Sequence, residues 1–277
     1  MKQSLVSILI CAYNAEATIK ETLESCINQT YKNIEILIHD DKSRDKTLEI
    51  IRNFEDKRIK IVESWKKLWP YKWLNFLIDN CNGDYIAIQD HDDIWHPQKL
   101  AKQVKFLEDN QKYVGCWTKT FIWYEWDNKW YQYYLGDECY FTIHPSLVFR
   151  NNWYRYIEDK VYMADAYFQK NVLCRWEKKI ANINELLTIH RVKKGADNYT
   201  YKRFKLTKKN LSTLFSIYSL TGWICVIIFE LMRKIIYPIF HRLKKWSYID
   251  KIERIPFVLR WYKIKVFDRE KFQLLEY

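Results

Sequence analysis

The chain predicts an α/β fold, an open and mainly parallel sheet flanked by helices on both faces. Three observations lead there. Short apolar runs rich in β-branched residues, such as 6–11 and 34–38, read as strands buried on both faces. Segments with helical spacing alternate with those runs in a β-α-β-α-β-α-β-α order, which favours parallel pairing with right-handed crossovers. Two of the runs end in acidic clusters, at the strand ends where open α/β sheets bind ligands.

Taken in order, residues 6–11 form the first strand. Residues 16–29 place Ile19, Leu23, Cys26 and Ile27 on one helical face. Residues 34–38 form the second strand and lead into the turn-forming run His39-Asp40-Asp41-Lys42-Ser43. A helix over 45–54 follows, capped by Ser43 or Asp45. Residues 58–62 are the third strand, and 73–81 a helix stopped by Asn82-Gly83. Residues 85–89 are the fourth strand, running into Asp90-His91-Asp92-Asp93. Pro97 then opens a helix over 98–109 at the first helical position. Beyond it, 114–149 is strand-like and aromatic, 163–174 helical, and 186–191 a last strand.

Hydrophobic residues make up 48% of the 277, enough for a sizeable core. Aromatics reach 17%, which suits either a sugar-binding surface or a core of large side chains. Residues 200–265 carry fifteen basic and three acidic side chains, an excess equal to the whole net charge of +12. The basic character thus belongs to a C-terminal module. The expected division is 1–205 for the α/β domain and 206–277 for a helical, basic, aromatic-rich extension. The seven cysteines are widely spaced and form no metal-ligand pattern, which fits buried thiols in a reducing compartment. The N-terminus leads straight into a strand, so neither signal peptide nor anchor is expected.

Asp90-His91-Asp92-Asp93 carries the strongest chemical signal. Three carboxylates in four residues repel one another, and a hard divalent cation bridging diphosphate oxygens would offset that repulsion. The same run also reads as a solvated acidic turn capping the next helix. Asp40-Asp41 would face the same crevice, where a carboxylate can accept from a nucleobase N–H or a ribose hydroxyl, or simply cap a turn.

Together these segments resemble family 2 glycosyltransferases. Val6-Ser7-Ile8-Leu9-Ile10-Cys11-Ala12-Tyr13-Asn14-Ala15 is similar to that family's opening strand and loop. Gln29-Thr30-Tyr31-Lys32-Asn33-Ile34-Glu35, then Asp40-Asp41-Lys42-Ser43-Arg44-Asp45-Lys46-Thr47, resembles its second motif. The run from Gly83 through Asp90-His91-Asp92-Asp93 to Pro97, then Lys99-Leu100, resembles its DxD region. The resemblance implies a GT-A (Rossmann-like) fold, an inverting mechanism, a nucleotide-diphosphate sugar donor (a UDP-sugar) and Mn²⁺ or Mg²⁺. It implies nucleotide-sugar contacts from Ala12, Tyr13, Asn14, Asp41, Asn75, Asp90, Asp92 and Arg191, and a metal held by Asp93 with Asp92.

In such families the catalytic base is a carboxylate near the start of a later helix, and Asp165 in Ala164-Asp165-Ala166 is the candidate. Asp159 and Glu158 are the fallbacks. The sequence departs from the family in three places. Ala164 stands where the usual Glu-Asp pair has its glutamate, Leu74 precedes Asn75 where an arginine is usual, and Ile189-His190-Arg191-Val192-Lys193 has Lys193 where the family often has histidine. Arg191 or Lys193 would help neutralise the diphosphate, with solvated surface charge an equal alternative for both. His144-Pro145-Ser146 is similar to a loop near the acceptor.

Residues 211–232 are long enough to span a bilayer. They contain Ser212, Thr213, Ser216, Thr221 and Glu230 and are flanked by basic runs on both sides. An interfacial helix on an anionic membrane is the favoured reading, with core or oligomer contact and a true span as alternatives. No nucleic-acid motif accompanies the charge, so no nucleic-acid partner is expected. The expectation is therefore a cytoplasmic enzyme, peripheral on the membrane, acting on a glycan or lipid-linked acceptor. Its rivals are an inactive binding module of the same fold and a nucleotidyltransferase.

Overall fold

The computed structural model describes residues 3–63, 68, 70–125, 128–133, 138–139, 142–158, 164–175, 178–193, 211–212 and 265–267. Four parallel strands form one half of the sheet: β1 (Val6–Ala12), β2 (Ile34–Asp40), β3 (Ile59–Ile61) and β4 (Tyr85–Asp90). They lie in the order β3-β2-β1-β4. Helices α1 (Ile19–Ile27), α2 (Thr47–Arg52) and α3 (Pro70–Asp79) connect them. A short strand, β5 (Ile94–Trp95), and helix α4 (Lys99–Asp109) follow.

The other half of the sheet is mixed. It contains β6 (Tyr113–Tyr124), β7 (Lys129–Tyr133), β8 (Glu138–Cys139), β9 (Val148–Arg150) and β10 (Lys179–Val192). β9 joins the halves by pairing antiparallel with both β4 and β6. β10 runs parallel to β6 and antiparallel to β5. Residues 265–267 form a short strand, β11, antiparallel to β7. The rest of 206–277 apart from Leu211 and Ser212 lies outside the described residues, and so does the 211–232 stretch beyond those two. Among the described residues no helix is long and apolar enough to cross a membrane.

The pleat sorts the apolar residues into two cores. Val6, Ile8, Ile10, Ile36, Ile38 and Ala87 pack with Ile19 and Leu23 of α1, Ile51 of α2, and Leu100 and Val104 of α4. Leu9, Leu37, Ile86 and Ile88 face the opposite way, onto Leu74, Leu77 and Ile78 of α3 and onto Phe168. Side chains buried on both faces make each central strand a continuous apolar run, which is why the sequence marks them so clearly. Among the described residues Cys26, Cys116 and Cys174 are buried free thiols, while Cys11 and Cys81, also free, are only half-buried, short of the burial expected for all seven.

Some elements differ from the sequence reading. α3 begins at Pro70, three residues early, because proline suits the first helical position. The 163–174 helix is one α-turn, α5 (Ala164–Tyr167), continued as a π-helix over Phe168–Leu173. β10 starts at Lys179, well before residue 186, and its pairing with β6 shifts register at three places. β5 and the pairing of β10 with it were not foreseen.

Candidate active site

Three strand ends lie level. The register pairs Ala12 of β1 with Asp40 of β2, and Cys11 of β1 with Asp90 of β4. The Asp41 N–H donates to the Ala12 carbonyl at 2.8 Å. The order of the strands reverses at β1, so the crevice beyond its carboxyl end is the switch point where such sheets bind ligands. Asp41 follows the carboxyl end of β2 and the Asp90–Asp93 turn that of β4, the two strands that flank β1.

The loop after β1 is laced to the loop after β2. The Asn14 N–H donates to Ser43 Oγ at 3.0 Å, Arg44 N–H to Asn14 Oδ1 at 2.9 Å, and Ala15 N–H to Thr47 Oγ1 at 2.7 Å. Asn14 and Lys42 sit in the left-handed region, with φ of 48° and 64°. Such conformations persist where surrounding bonds fix them, as the bonds to Ser43 and Arg44 do for Asn14, and Lys42 directly follows Asp41. Asp41 is buried and accepts from the Leu68 N–H at 2.9 Å. Tyr13 stands out at 40% exposure, while Ala12 is fully buried.

Asp93 is the centre of the acid cluster. It is fully buried, its Oδ2 lies 2.9 Å from His190 Nδ1, and its Oδ1 accepts from the Arg191 N–H at 2.8 Å. This follows from the antiparallel register, which pairs Ile189 with Ile94 and so brings His190 across from Asp93. Asp90, Asp93 and His190 offer ligand atoms all within 4.8 Å of one another, a group able to hold a metal ion. The Asp90 carboxyl is pushed up to about 8, first by burial and then by Asp93 and Asp92, with Asp165 adding to it. Burial works to lower the His190 imidazole, but Asp93, Asp90 and Asp92 outweigh it and raise it to about 9. Asp92 lies outside that trio and faces Lys193 Nζ at 3.8 Å.

Asp165 lies in the first turn of α5. Its charge bears on Asp90, His144 and Tyr156, so it stands within electrostatic reach of the cluster. His144 Nε2 and the Tyr156 hydroxyl are 2.5 Å apart, and the Tyr156 ring stacks on Phe168. Asn75 is engaged with backbone: its Nδ2 donates to the Tyr156 carbonyl at 2.9 Å, and its Oδ1 accepts from the Tyr156 N–H at 2.8 Å. Arg191 is buried between Glu21 and Glu125. Of the fallback bases, Glu158 faces Lys72 at 3.5 Å, and Asp159 lies outside the described residues.

His190 is the site residue that sequence reasoning missed. It stands inside the quoted segment, but only the long-range β5–β10 pairing brings it to Asp93. A β-period reading of β10 carried back to the acid turn is the signal that would have found it.

Residues 7–163 match the sequence model of Glycosyl transferase family 2. Over 111 residues the chain is 41% identical to the Escherichia coli protein UDP-Glc:alpha-D-GlcNAc-diphosphoundecaprenol beta-1,3-glucosyltransferase WfaP, covering 40% of this chain and 44% of that one. The match spans less than half the length of WfaP and of two further curated relatives. S. aureus TarS 1-349, solved in complex with UDP-GlcNAc, superposes with a TM-score of 0.63 at 17% identity, over 76% of this chain and 65% of that one. The mannosyltransferase PcManGT from Pyrobaculum calidifontis, solved with GDP-Man and Mn2+, gives 0.57 at 13% identity, over 89% and 84%. These two likenesses establish the GT-A fold.

Proposed function

We propose a reaction for this chain, which belongs to glycosyl transferase family 2: transfer of a sugar from a UDP-sugar to an acceptor hydroxyl, with inversion at the anomeric carbon. What carries the reading is the convergence of Asp41, the Asp90–Asp93 turn and Asp165 around the carboxyl ends of β1, β2 and β4. WfaP, by its name a UDP-glucose enzyme acting on a diphosphoundecaprenol-linked sugar, supports a UDP-sugar donor and a lipid-linked glycan acceptor.

Tyr13, Asn14 and Asp41 hold the base and ribose, and Asp90 and Asp92 orient the sugar end of the donor. Asp165 accepts the acceptor's O–H proton while that oxygen bonds to the anomeric carbon. The bond from that carbon to the diphosphate oxygen breaks in the same step. A single displacement needs no carboxylate nucleophile on the opposite face. The products are the lengthened glycan, the nucleoside diphosphate and a protonated Asp165.

The donor set fits a divalent cation. Two carboxylates and an imidazole converge within 4.8 Å, and Asp93 is shielded from water. Oxygen-rich sets suit Mg²⁺ or Mn²⁺, and the imidazole favours Mn²⁺. Asp93 would hold it, with Asp90, Asp92 or His190. A cation held there would supply positive charge to offset that of the departing diphosphate.

The test is ³¹P NMR of the full chain with UDP-glucose or UDP-GlcNAc, Mn²⁺ and a lipid-linked acceptor, beside Asp93→Ala and Asp165→Ala. UDP release by wild type alone supports the reading. Pyrophosphate release identifies a nucleotidyltransferase, and no release at all an inactive binding module. The basic 200–265 stretch is proposed to rest on anionic membrane. Vesicles rich in phosphatidylglycerol should bind the full chain at low salt and not a 1–205 truncation.

A further inference from the structure

β10 ends near two cations, Arg191 and Lys193, and the structure treats them differently. Arg191 is 7% exposed. Its Nη2 bonds the Glu21 carboxylate of α1, its Nη1 lies 3.9 Å from Glu125, and its guanidinium sits 4.8 Å over the Trp123 ring. Its backbone N–H is committed to Asp93. Moving that buried guanidinium onto a ligand would break its ion pairs with the half-exposed Glu21 and Glu125 and its cation–π contact together.

Lys193 is held loosely. Its side chain is about a third exposed, and its Nζ faces Asp92 Oδ2 at 3.8 Å, beyond hydrogen-bond distance. Asp92 bears by its charge on Asp90 and Asp93, so the ammonium that faces it stands beside the acid cluster. A flexible four-carbon stem lets an ammonium exchange a distant carboxylate for a closer anion at little cost.

We propose that Lys193, and not Arg191, receives the diphosphate of the bound nucleotide, leaving Asp92 free to bond the donor; Arg191 is a positioning residue whose side chain anchors the end of β10 to Glu21 and Trp123, where its backbone N–H meets Asp93. This rests on the UDP-sugar reading of the site. Lys193 then supplies a built-in positive charge on the leaving group, additional to any cation held by Asp93.

Tryptophan-fluorescence titration of the full chain with UDP and with uridine, at fixed Mn²⁺, tests the assignment. Lys193→Ala should weaken UDP binding about tenfold, the worth of one charge-assisted phosphate contact. Uridine binding should not change, and Lys193→Arg should recover most of the UDP affinity. Arg191→Lys should instead lower thermal stability and weaken both ligands alike. Equal UDP affinity in wild type and Lys193→Ala overturns the assignment and leaves the UDP-sugar reading standing, as does a parallel loss for UDP and uridine. A wild type that binds UDP no better than uridine overturns the donor reading, and the assignment with it.

Discussion

The His190 imidazole and the Asp93 carboxylate meet at 2.9 Å, across the junction of β10 with the turn that follows β4. A buried acid thereby gains a partner from a strand 97 positions away in sequence. The same pair, with Asp90, makes the donor set for a cation.

That donor set holds protons near neutral pH, with Asp90 at about 8 and His190 at about 9. Metal ligands must be deprotonated, so binding releases those protons. Mn²⁺ affinity should therefore rise with pH between about 6.5 and 8.5, roughly tenfold per pH unit for each proton released. Isothermal titration in two buffers of different ionisation enthalpy measures both the slope and the proton count. A flat profile contradicts this arrangement.

Asp165→Asn should remove the proton acceptor while leaving the nucleotide pocket intact. The transfer rate should fall on the order of 10²–10⁴-fold, with UDP affinity unchanged. Steady-state kinetics beside UDP titration separates the two. A loss of UDP affinity equal to the loss of rate would place Asp165 in donor binding.

Glu35 anchors the opposite end of the sheet. Its carboxylate accepts from Ser7 Oγ and the Asn82 N–H at 2.6 Å each, and from Lys60 Nζ at 2.8 Å. Burial works to raise its pKa, but the bonds from Lys60, Ser7 and Asn82 outweigh it and the value falls below normal. A lowered folded value means stability that is present above the ordinary carboxylate range and lost as pH falls through the folded value. Glu35→Gln should cost about 1–3 kcal/mol at neutral pH, and its deficit against wild type should shrink in acid. Urea unfolding at several pH values checks the sign.

Gly83 packs where no side chain fits. A Cβ there would lie 2.4 Å from Ser7 Oγ and 2.6 Å from the Ser7 backbone nitrogen. Gly83→Ala should destabilise by about 1–3 kcal/mol through overpacking, with little change in UDP affinity, since the clash sits at the far end of β1. Thermal unfolding beside ligand titration checks both halves.

The parallel half of the sheet was legible because its strands are buried on both faces, so β1, β2 and β4 stand out as apolar runs interrupted near their starts by Ser7 and Glu35. The acids at their ends were legible for the same reason: the turn chemistry begins where the apolar run stops. β10 was half hidden. Lys179 to Glu185 mixes asparagines and charges with apolar residues, and the register shifts against β6 break the period that a strand reading relies on. β5 is two residues long, too short to carry a pattern. His190 and the burial of Arg191 depend on pairings between distant segments, which composition and local spacing do not encode. Asn75 bonds the Tyr156 backbone on both sides, a pairing across 81 positions that local spacing likewise does not encode.

The central claim is that acids from neighbouring strand ends and from α5 serve one pocket for a nucleotide sugar and a cation. Crystals grown with UDP and Mn²⁺, with data collected at the manganese edge, test it most directly. The account predicts an anomalous peak ligated by Asp93 together with Asp90, Asp92 or His190, and the uracil ring against Asp41. A peak away from Asp93, or a nucleotide bound elsewhere on the molecule, would contradict it.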